Sequence, residues 1–262
     1  MKEIKKYHVD AFASGILKGN SAAVCPLDSW LPDNVMQEIA AENNLAETAF
    51  IAAEPAGLRI RWFTPTVEVD LCGHATLASA YVFFNHEKFN GQAITFNSRS
   101  GPLSVTQSGD LLTLNFPKDV FSEVSPLPEL AKSLGATPVK TFRGKTDFMA
   151  VFESEKTIRE MNPDFRELAK IKARGVIVTA PGSEVDFVSR FFGPQSGGDE
   201  DPVTGSAHTT LTPYWSSVSG KNKFHAHQVS PRGGDLFCEL AGDRVLIAGK
   251  ARLFSTGKIF ID

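Results

Sequence analysis

Short apolar segments, alternating or nearly continuous, dominate this chain, and each half contains one strongly apolar run of helical length. In the first half, residues 5–12 (KKYHVDAF), 22–25, 46–52 and 58–63 read as strands. Residues 32–44 place Val35, Met36, Ile39 and Ala40 at helical spacing. Residues 93–97, 103–107 and 111–116 form a meander with polar turns between the strands. Residues 117–127 (PKDVFSEVSPL) combine prolines and acids and read as a linker. Beyond it, 128–134 and 164–172 read as helices, and 148–152, 176–179 and 185–192 as strands. A hairpin is expected around Gly242-Asp243, and residues 251–260 close the chain as a strand. The order strand, helix, strand, strand, helix, meander therefore occurs twice. It predicts two domains, 1–118 and 119–262, the last strand being able to pack on the first half.

The two apolar helices begin alike. Residues 70–84 (DLCGHATLASAYVFF) and 197–215 (GGDEDPVTGSAHTTLTPYW) each run from acids through a glycine and small residues into an apolar stretch. Gly73 and Gly205 are 205 − 73 = 132 residues apart, about half the chain. Arg61-Trp62-Phe63-Thr64-Pro65 precedes the first helix and Arg190-Phe191-Phe192-Gly193-Pro194 the second. A loop entering a helix leaves the first backbone N–H groups unmade, with about half a positive charge suited to an anion. An ordinary cap by Asp201 or Thr204 is the plain alternative. A pseudo-symmetric pair of such starts predicts a ligand in a crevice between the domains. The fold class expected is α+β, each half a curled sheet around a central helix, because the βαβ rhythm of a doubly wound sheet is missing.

Composition narrows the function. A length of 262 residues, 42% hydrophobic and 22% charged, suits a globular protein, with 20 Phe in its core. A net charge of −3 gives no reason to expect nucleic acid or a membrane surface as partner. No apolar run reaches spanning length, and Met1-Lys2-Glu3-Ile4 lacks a signal-peptide core. The three cysteines, Cys25, Cys72 and Cys238, are odd in number and far apart, as expected of free thiols in a reducing cytoplasm.

Glu47 stands between a polar turn and an apolar strand, where a carboxylate facing the crevice would suit proton transfer. His74 follows Gly73 at a helix start, which disfavours a charged imidazole and predicts a neutral one. Asp201 precedes Pro202 and could orient a catalytic group or cap its helix. Cys72 could be a low-pKa thiol at the helix start, but a two-thiol mechanism needs a second cysteine near position 204, where Thr204 stands. His225 and His227 are spaced for one strand face and, with no third ligand apparent, read as surface histidines. Dinucleotide, phosphate-loop, zinc-protease and nucleophile-elbow motifs are absent, so chemistry without metal or cofactor is expected.

Four segments together resemble the phenazine-biosynthesis, PhzF-like isomerases, which share the diaminopimelate-epimerase fold. They are DAFASGILKGNSAAV (10–24), NLAETAF (44–50), FTPTVEVDLCGHAT (63–76) and GDEDPVTGSAH (198–208), spread over both halves. The resemblance implies a cofactor-independent isomerase that relocates a proton on a small carboxylate-bearing substrate, of which a dihydro-hydroxyanthranilate is the phenazine-type example. It places the catalytic carboxylate on Glu47 and supporting groups on His74, Asp201 and Ser206. It assigns substrate binding to Asn20, Ser21, Gly73, Gly205 and Ser206. A homodimer is a further possible expectation. In the related epimerases two cysteines act as acid and base; here Cys72 matches the first and Thr204 replaces the second. Two rival readings stand beside it: a two-base racemase using Glu47 and Cys72, and a non-catalytic binder of small carboxylates.

Overall fold

The computed structural model describes residues 1–196 and 198–261; Gly197, the first residue of the second Gly-led stretch, lies outside them. The chain divides into two compact units, residues 1–115 with 248–262, and residues 116–247. The first unit contains β1 (Lys2–Ala11), β2 (Asn20–Leu27), α1 (Asp33–Asn43), β3 (Glu47–Glu54) and β4 (Gly57–Phe63). It continues with β5 (Glu68–Val69), α2 (Gly73–Asn85), β6 (Ala93–Ser98), β7 (Gly101–Ser108) and β8 (Leu111–Pro117). The chain's last strand, Ala251–Ile261, lies antiparallel on β1. From β1 the sheet runs antiparallel to β2, parallel to β3, antiparallel to β4, parallel to β6, then antiparallel through β7 to β8.

The second unit contains β9 (Ser122–Val124), α3 (Pro128–Leu134), β10 (Lys140–Arg143), β11 (Phe148–Val151), α4 (Glu155–Glu160) and α5 (Phe165–Leu168). Then come β12 (Val176–Pro181), β13 (Phe187–Gly193), β14 (Gly198–Asp201), α6 (His208–Ser219), β15 (Lys223–Gln228), β16 (Gly234–Ala241) and β17 (Arg244–Gly249). The same pairing sequence recurs: β10 antiparallel to β11, β11 parallel to β12, β12 antiparallel to β13, β13 parallel to β15, and β15 antiparallel to β16. Each half is thus a curled sheet around one central helix, α2 or α6.

α2 is central because it is apolar or small on every side. Ala75, Leu77, Ala78, Ala80 and Val82 are buried, and the small ones let the strands approach the helix backbone. α6 carries Pro213 in its interior, which removes the N–H that would have bonded the Thr209 carbonyl. The Asp119 N–H takes that carbonyl at 3.1 Å, and the Asp119 carboxylate accepts from Thr210 Oγ1 at 2.8 Å. Gly220, at φ 73°, ends the helix in the left-handed conformation.

Three sequence expectations are corrected. Residues 117–127 are not all linker, because Ser122–Val124 pairs with β10. The helix expected over 164–172 is a single turn, Phe165–Leu168, capped by Asp164. The acids Asp199, Glu200 and Asp201 form a strand instead of a loop, opposite Phe191 and Phe192 of β13. The reason lies in Glu200, which receives Arg190 Nε and Nη2 at 2.7 and 2.8 Å. The first unit has the same clamp: Arg61 Nε and Nη2 reach Glu68 at 2.7 Å each. Each guanidinium also stacks over a phenylalanine of its own strand, Phe63 at 5.2 Å and Phe192 at 4.8 Å. A bidentate arginine therefore closes the short strand onto the long one just before each central helix.

Candidate active site

In the first unit, parallel pairing of β2 and β3 sets their first residues on one edge, with Ala22 opposite Glu47. Asn20 opens β2 immediately after Gly19, whose φ is +86°. A Cβ on Gly19 would lie 2.4 Å from the Ala11 carbonyl oxygen, so the turn that delivers Asn20 requires glycine. α2 packs on β1, β2 and β3 and brings its first turn to the same edge.

There His74 meets three of its predicted or suspected partners. Its Nε2 lies 2.9 Å from Glu47 Oε2. Its Nδ1 lies 3.2 Å from Asn20 Nδ2 and 3.6 Å from Cys72 Sγ. His74 and Cys72 are buried, and Glu47 keeps 18% of its side chain exposed. Asn20, Glu47, Cys72 and His74 are therefore one cluster, in which Glu47 is the most exposed member. Ser21 is turned elsewhere: successive strand residues point to opposite faces, and its hydroxyl donates to Asp10 Oδ1 at 2.5 Å.

The charge state of this cluster departs from expectation. Burial pushes the His74 imidazole down, but the Cys72 sulfur and the Glu47 carboxylate outweigh it, and the net position is well above the ordinary value. The Cys72 sulfur and then the Glu47 carboxylate prevail over the helix start, which by itself favoured a neutral ring. Burial, and then Glu47, push the Cys72 thiol up to about 11, the opposite of the low-pKa thiol expected at a helix start.

The second unit places Asp201, Gly205 and Ser206 around the start of α6. A 3₁₀ turn at Gly205–Ala207 leads into the helix. Neither Cys72 nor Thr204, the residues preceding the two glycines, makes a side-chain cap. Thr204 Oγ1 donates instead to Asp201 Oδ2 at 2.6 Å. Gln228 braces this loop, accepting from Thr204 N at 2.8 Å and donating to the Asp201 carbonyl at 2.8 Å. Ser206 Oγ accepts from Arg174 Nη1 at 3.0 Å, and Arg174 is in turn held by Asp147 through Nε at 2.9 Å and through Nη2. Burial lowers the Arg174 guanidinium's pKa, but Asp147, Asp201 and Asp119 outweigh it, so it stays charged. Gln228, Arg174 and Asp147 were missed in the sequence. Gln228 carried a faint signal, a polar residue on the buried side of an alternating strand.

His208, two residues after Ser206, is fully buried, with Nδ1 3.0 Å from the Thr204 carbonyl. Burial holds its pKa down at about 4, the Thr204 hydrogen bond opposing only weakly. Its folded pKa is thus below the ordinary 6.5, so the neutral ring's stability is whole above that pH and falls away toward 4. The gap corresponds to roughly 3 kcal/mol. In urea titrations between pH 7 and 4, His208→Gln is expected to lose less stability than the wild type. Parallel losses in the two proteins would remove this role.

Among the described residues, two groups bring three metal-competent side chains together: Glu47 with Cys72 and His74, and His225 with His227 and Asp235. In the second, Asp235 lies beside the two histidines, a neighbour that the spacing along one strand could not show. No described helix is long and apolar enough to cross a membrane.

The chain is similar to known proteins over nearly its whole length. An uncharacterized isomerase of Pseudomonas aeruginosa is 50% identical over 257 residues, covering 98% of each chain. The crystal structure of a PhzF-family phenazine biosynthesis protein from Enterococcus faecalis superposes with a TM-score of 0.96 at 46% identity, over 99% of this chain and 100% of that one. A hydroxyproline epimerase from Agrobacterium vitis, 9% identical, shares the fold alone, with a TM-score of 0.64 over 98% of this chain and 92% of its own. The family model for phenazine biosynthesis-like protein matches residues 9–257, and the chain belongs to that PhzC-PhzF family.

Proposed function

We propose that this chain is a cofactor-independent isomerase in which Glu47 relocates a proton on a small carboxylate-bearing substrate. The observation that carries this is the buried contact of Glu47 with His74, backed by Asn20 and Cys72. Glu47 is the more exposed partner of that contact, 2.9 Å from His74 Nε2, where a substrate carbon can reach its carboxylate. Glu47 takes the proton from one carbon, the C–H electron pair moves into the adjoining unsaturated system, and the same carboxyl returns the proton to another carbon. Uncapped helix starts at Gly73 and at Gly205-Ser206 offer N–H groups for a substrate carboxylate. Asp201 and His74 position and polarise. The name of the Pseudomonas aeruginosa relative, an isomerase, supports the same reaction class.

A two-base racemase would use Cys72 as the second base. The thiol's position at about 11 makes it a poor base near neutrality, and Thr204, its counterpart 204 − 72 = 132 residues on, spends its hydroxyl on Asp201. Cys72→Ala is therefore expected to keep most turnover. Loss of turnover on both substitution and alkylation of Cys72 would transfer the proposal to the racemase.

The test of the reaction itself is a screen of small carboxylic acids, dihydro-hydroxyanthranilate among them, incubated with the protein in heavy water. Deuterium entering a carbon other than the one deprotonated, with a shifted double bond, is the expected result. Exchange at a single α-carbon with inversion would favour the racemase. Tight binding with no exchange at high protein concentration would favour a non-catalytic binder.

A further inference from the structure

We propose that His225, His227 and Asp235 form a binding site for a borderline divalent transition-metal ion, zinc being the representative. The site is built by the β15–β16 hairpin. Phe224, Ala226 and Gln228 alternate into the buried side of β15, which leaves His225 and His227 together on the other side. Antiparallel register sets Asp235 directly opposite His227, and Phe237 opposite His225. A local i, i+2 pair thereby gains a third donor from ten residues away, 235 − 225 = 10.

The donor atoms converge. His225 Nε2 and His227 Nε2 lie 3.2 and 2.5 Å from the same oxygen, Asp235 Oδ1. All three donors lie within 4.8 Å of one another. Zinc–ligand bonds of about 2.0–2.1 Å in a tetrahedron separate the ligand atoms by about 3.3 Å. His225 already stands at that separation from the carboxylate, and His227 needs to open by less than about 1 Å.

The rings are also held. His225 stacks on Phe237 at 4.6 Å and 10°, and meets His227 edge-on at 4.9 Å and 90°. The backbone N–H of His225 is fixed by Asp186 at 2.8 Å. Both Nε2 atoms face the same oxygen, Asp235 Oδ1, so the two rings present their nitrogens to one point. As a simple ion pair the arrangement is poor, because two imidazoles compete for one oxygen at a half-exposed position where such pairs contribute little. A cation among the three uses every lone pair. Two imidazoles with a single carboxylate suit zinc, cobalt, nickel or copper and not magnesium or calcium, which need oxygen ligands. Three protein ligands leave the fourth position to water, and the half-exposed side chains leave a path for it.

The test uses the full chain after chelator treatment, titrated with Co²⁺ and then with Zn²⁺ as competitor. One Co²⁺ per chain, with the intense visible bands of a tetrahedral ion and displacement by Zn²⁺, is expected. His225→Asn, His227→Gln and Asp235→Asn should each weaken binding by at least about tenfold, and each unliganded variant should melt as the wild type does. Cys72→Ala, which takes apart the other metal-competent group, should leave the titration unchanged. Absence of saturable binding, equal binding in all three hairpin variants, or loss of binding in Cys72→Ala would each overturn the proposal. The three substitutions are independent, so misfolding of one leaves two to decide.

Discussion

Glu47→Gln is expected to lower turnover by at least about a hundredfold while substrate affinity changes little. A positioned general base contributes about 10²–10⁴ in rate, and the amide keeps the side chain's size while losing the ability to carry a proton. Affinity should hold because the N–H groups at the helix starts and Ser206 are untouched. The substitution has a second readout inside the protein. Glu47 is one of the groups that hold the His74 imidazole well above its ordinary pKa. In Glu47→Gln the ring should titrate lower, which NMR of the imidazole resonances would follow. His74→Ala and Asp201→Asn serve as contrasts, since positioning groups should weaken binding and turnover together. Normal turnover in a folded Glu47→Gln protein, verified by its melting curve, would return Glu47 to an ordinary carboxylate at the start of a strand.

What could be read from the chain follows the range of the interactions. The alternation of β4, the helical spacing of α1 and the two Gly-led helices are local patterns, and the structure has all of them. The repeat of Gly73 at Gly205 was legible because each half must thread one apolar helix through its sheet. Glu47 and His74 are each legible, but that they touch depends on α2 packing against β3. Packing of α2 on β2 likewise brings Asn20 to Nδ1, and the antiparallel register of β1 and β2 sets Ser21 opposite Asp10. The upward shift of His74 is not legible because the helix start shows in the sequence, whereas the folded placement of the Cys72 sulfur and the Glu47 carboxylate against the ring does not. Arg174 and Asp147 were invisible for the same reason, joined only by β11 and β12 lying side by side. The acid run Asp199 to Asp201 misled in the other direction. Its polarity says loop, yet an arginine on the neighbouring strand makes Glu200 a strand residue.

That arginine carries the second large effect. Arg190→Met is expected to destabilise the second unit by roughly 3–5 kcal/mol, the range for breaking a buried pair from one side. Arg190 is 8% exposed and spends its donors on Glu200 and on the carbonyls of Ile158 and Met161, at 3.0 and 2.7 Å. Methionine fills much of the volume but leaves a half-buried carboxylate and two carbonyls without these donors. The matching change in the first unit, Arg61→Met, should be milder, roughly 1–2 kcal/mol. There Arg99 Nη2 stays 2.7 Å from Glu68 Oε2, and the other partner of Arg61, Asp33, is 74% exposed. Urea unfolding followed by fluorescence separates the two, because Trp215 reports on the second unit and Trp30 and Trp62 on the first. Equal losses in the two variants would mean that neither the burial of Arg190 nor the Arg99 cation beside Glu68 changes what the clamp contributes. The larger loss in Arg190→Met, seen through Trp215, would show that symmetric geometry carries unequal energy, because Arg190 is buried and, among the described residues, a second cation stands beside Glu68 but not beside Glu200.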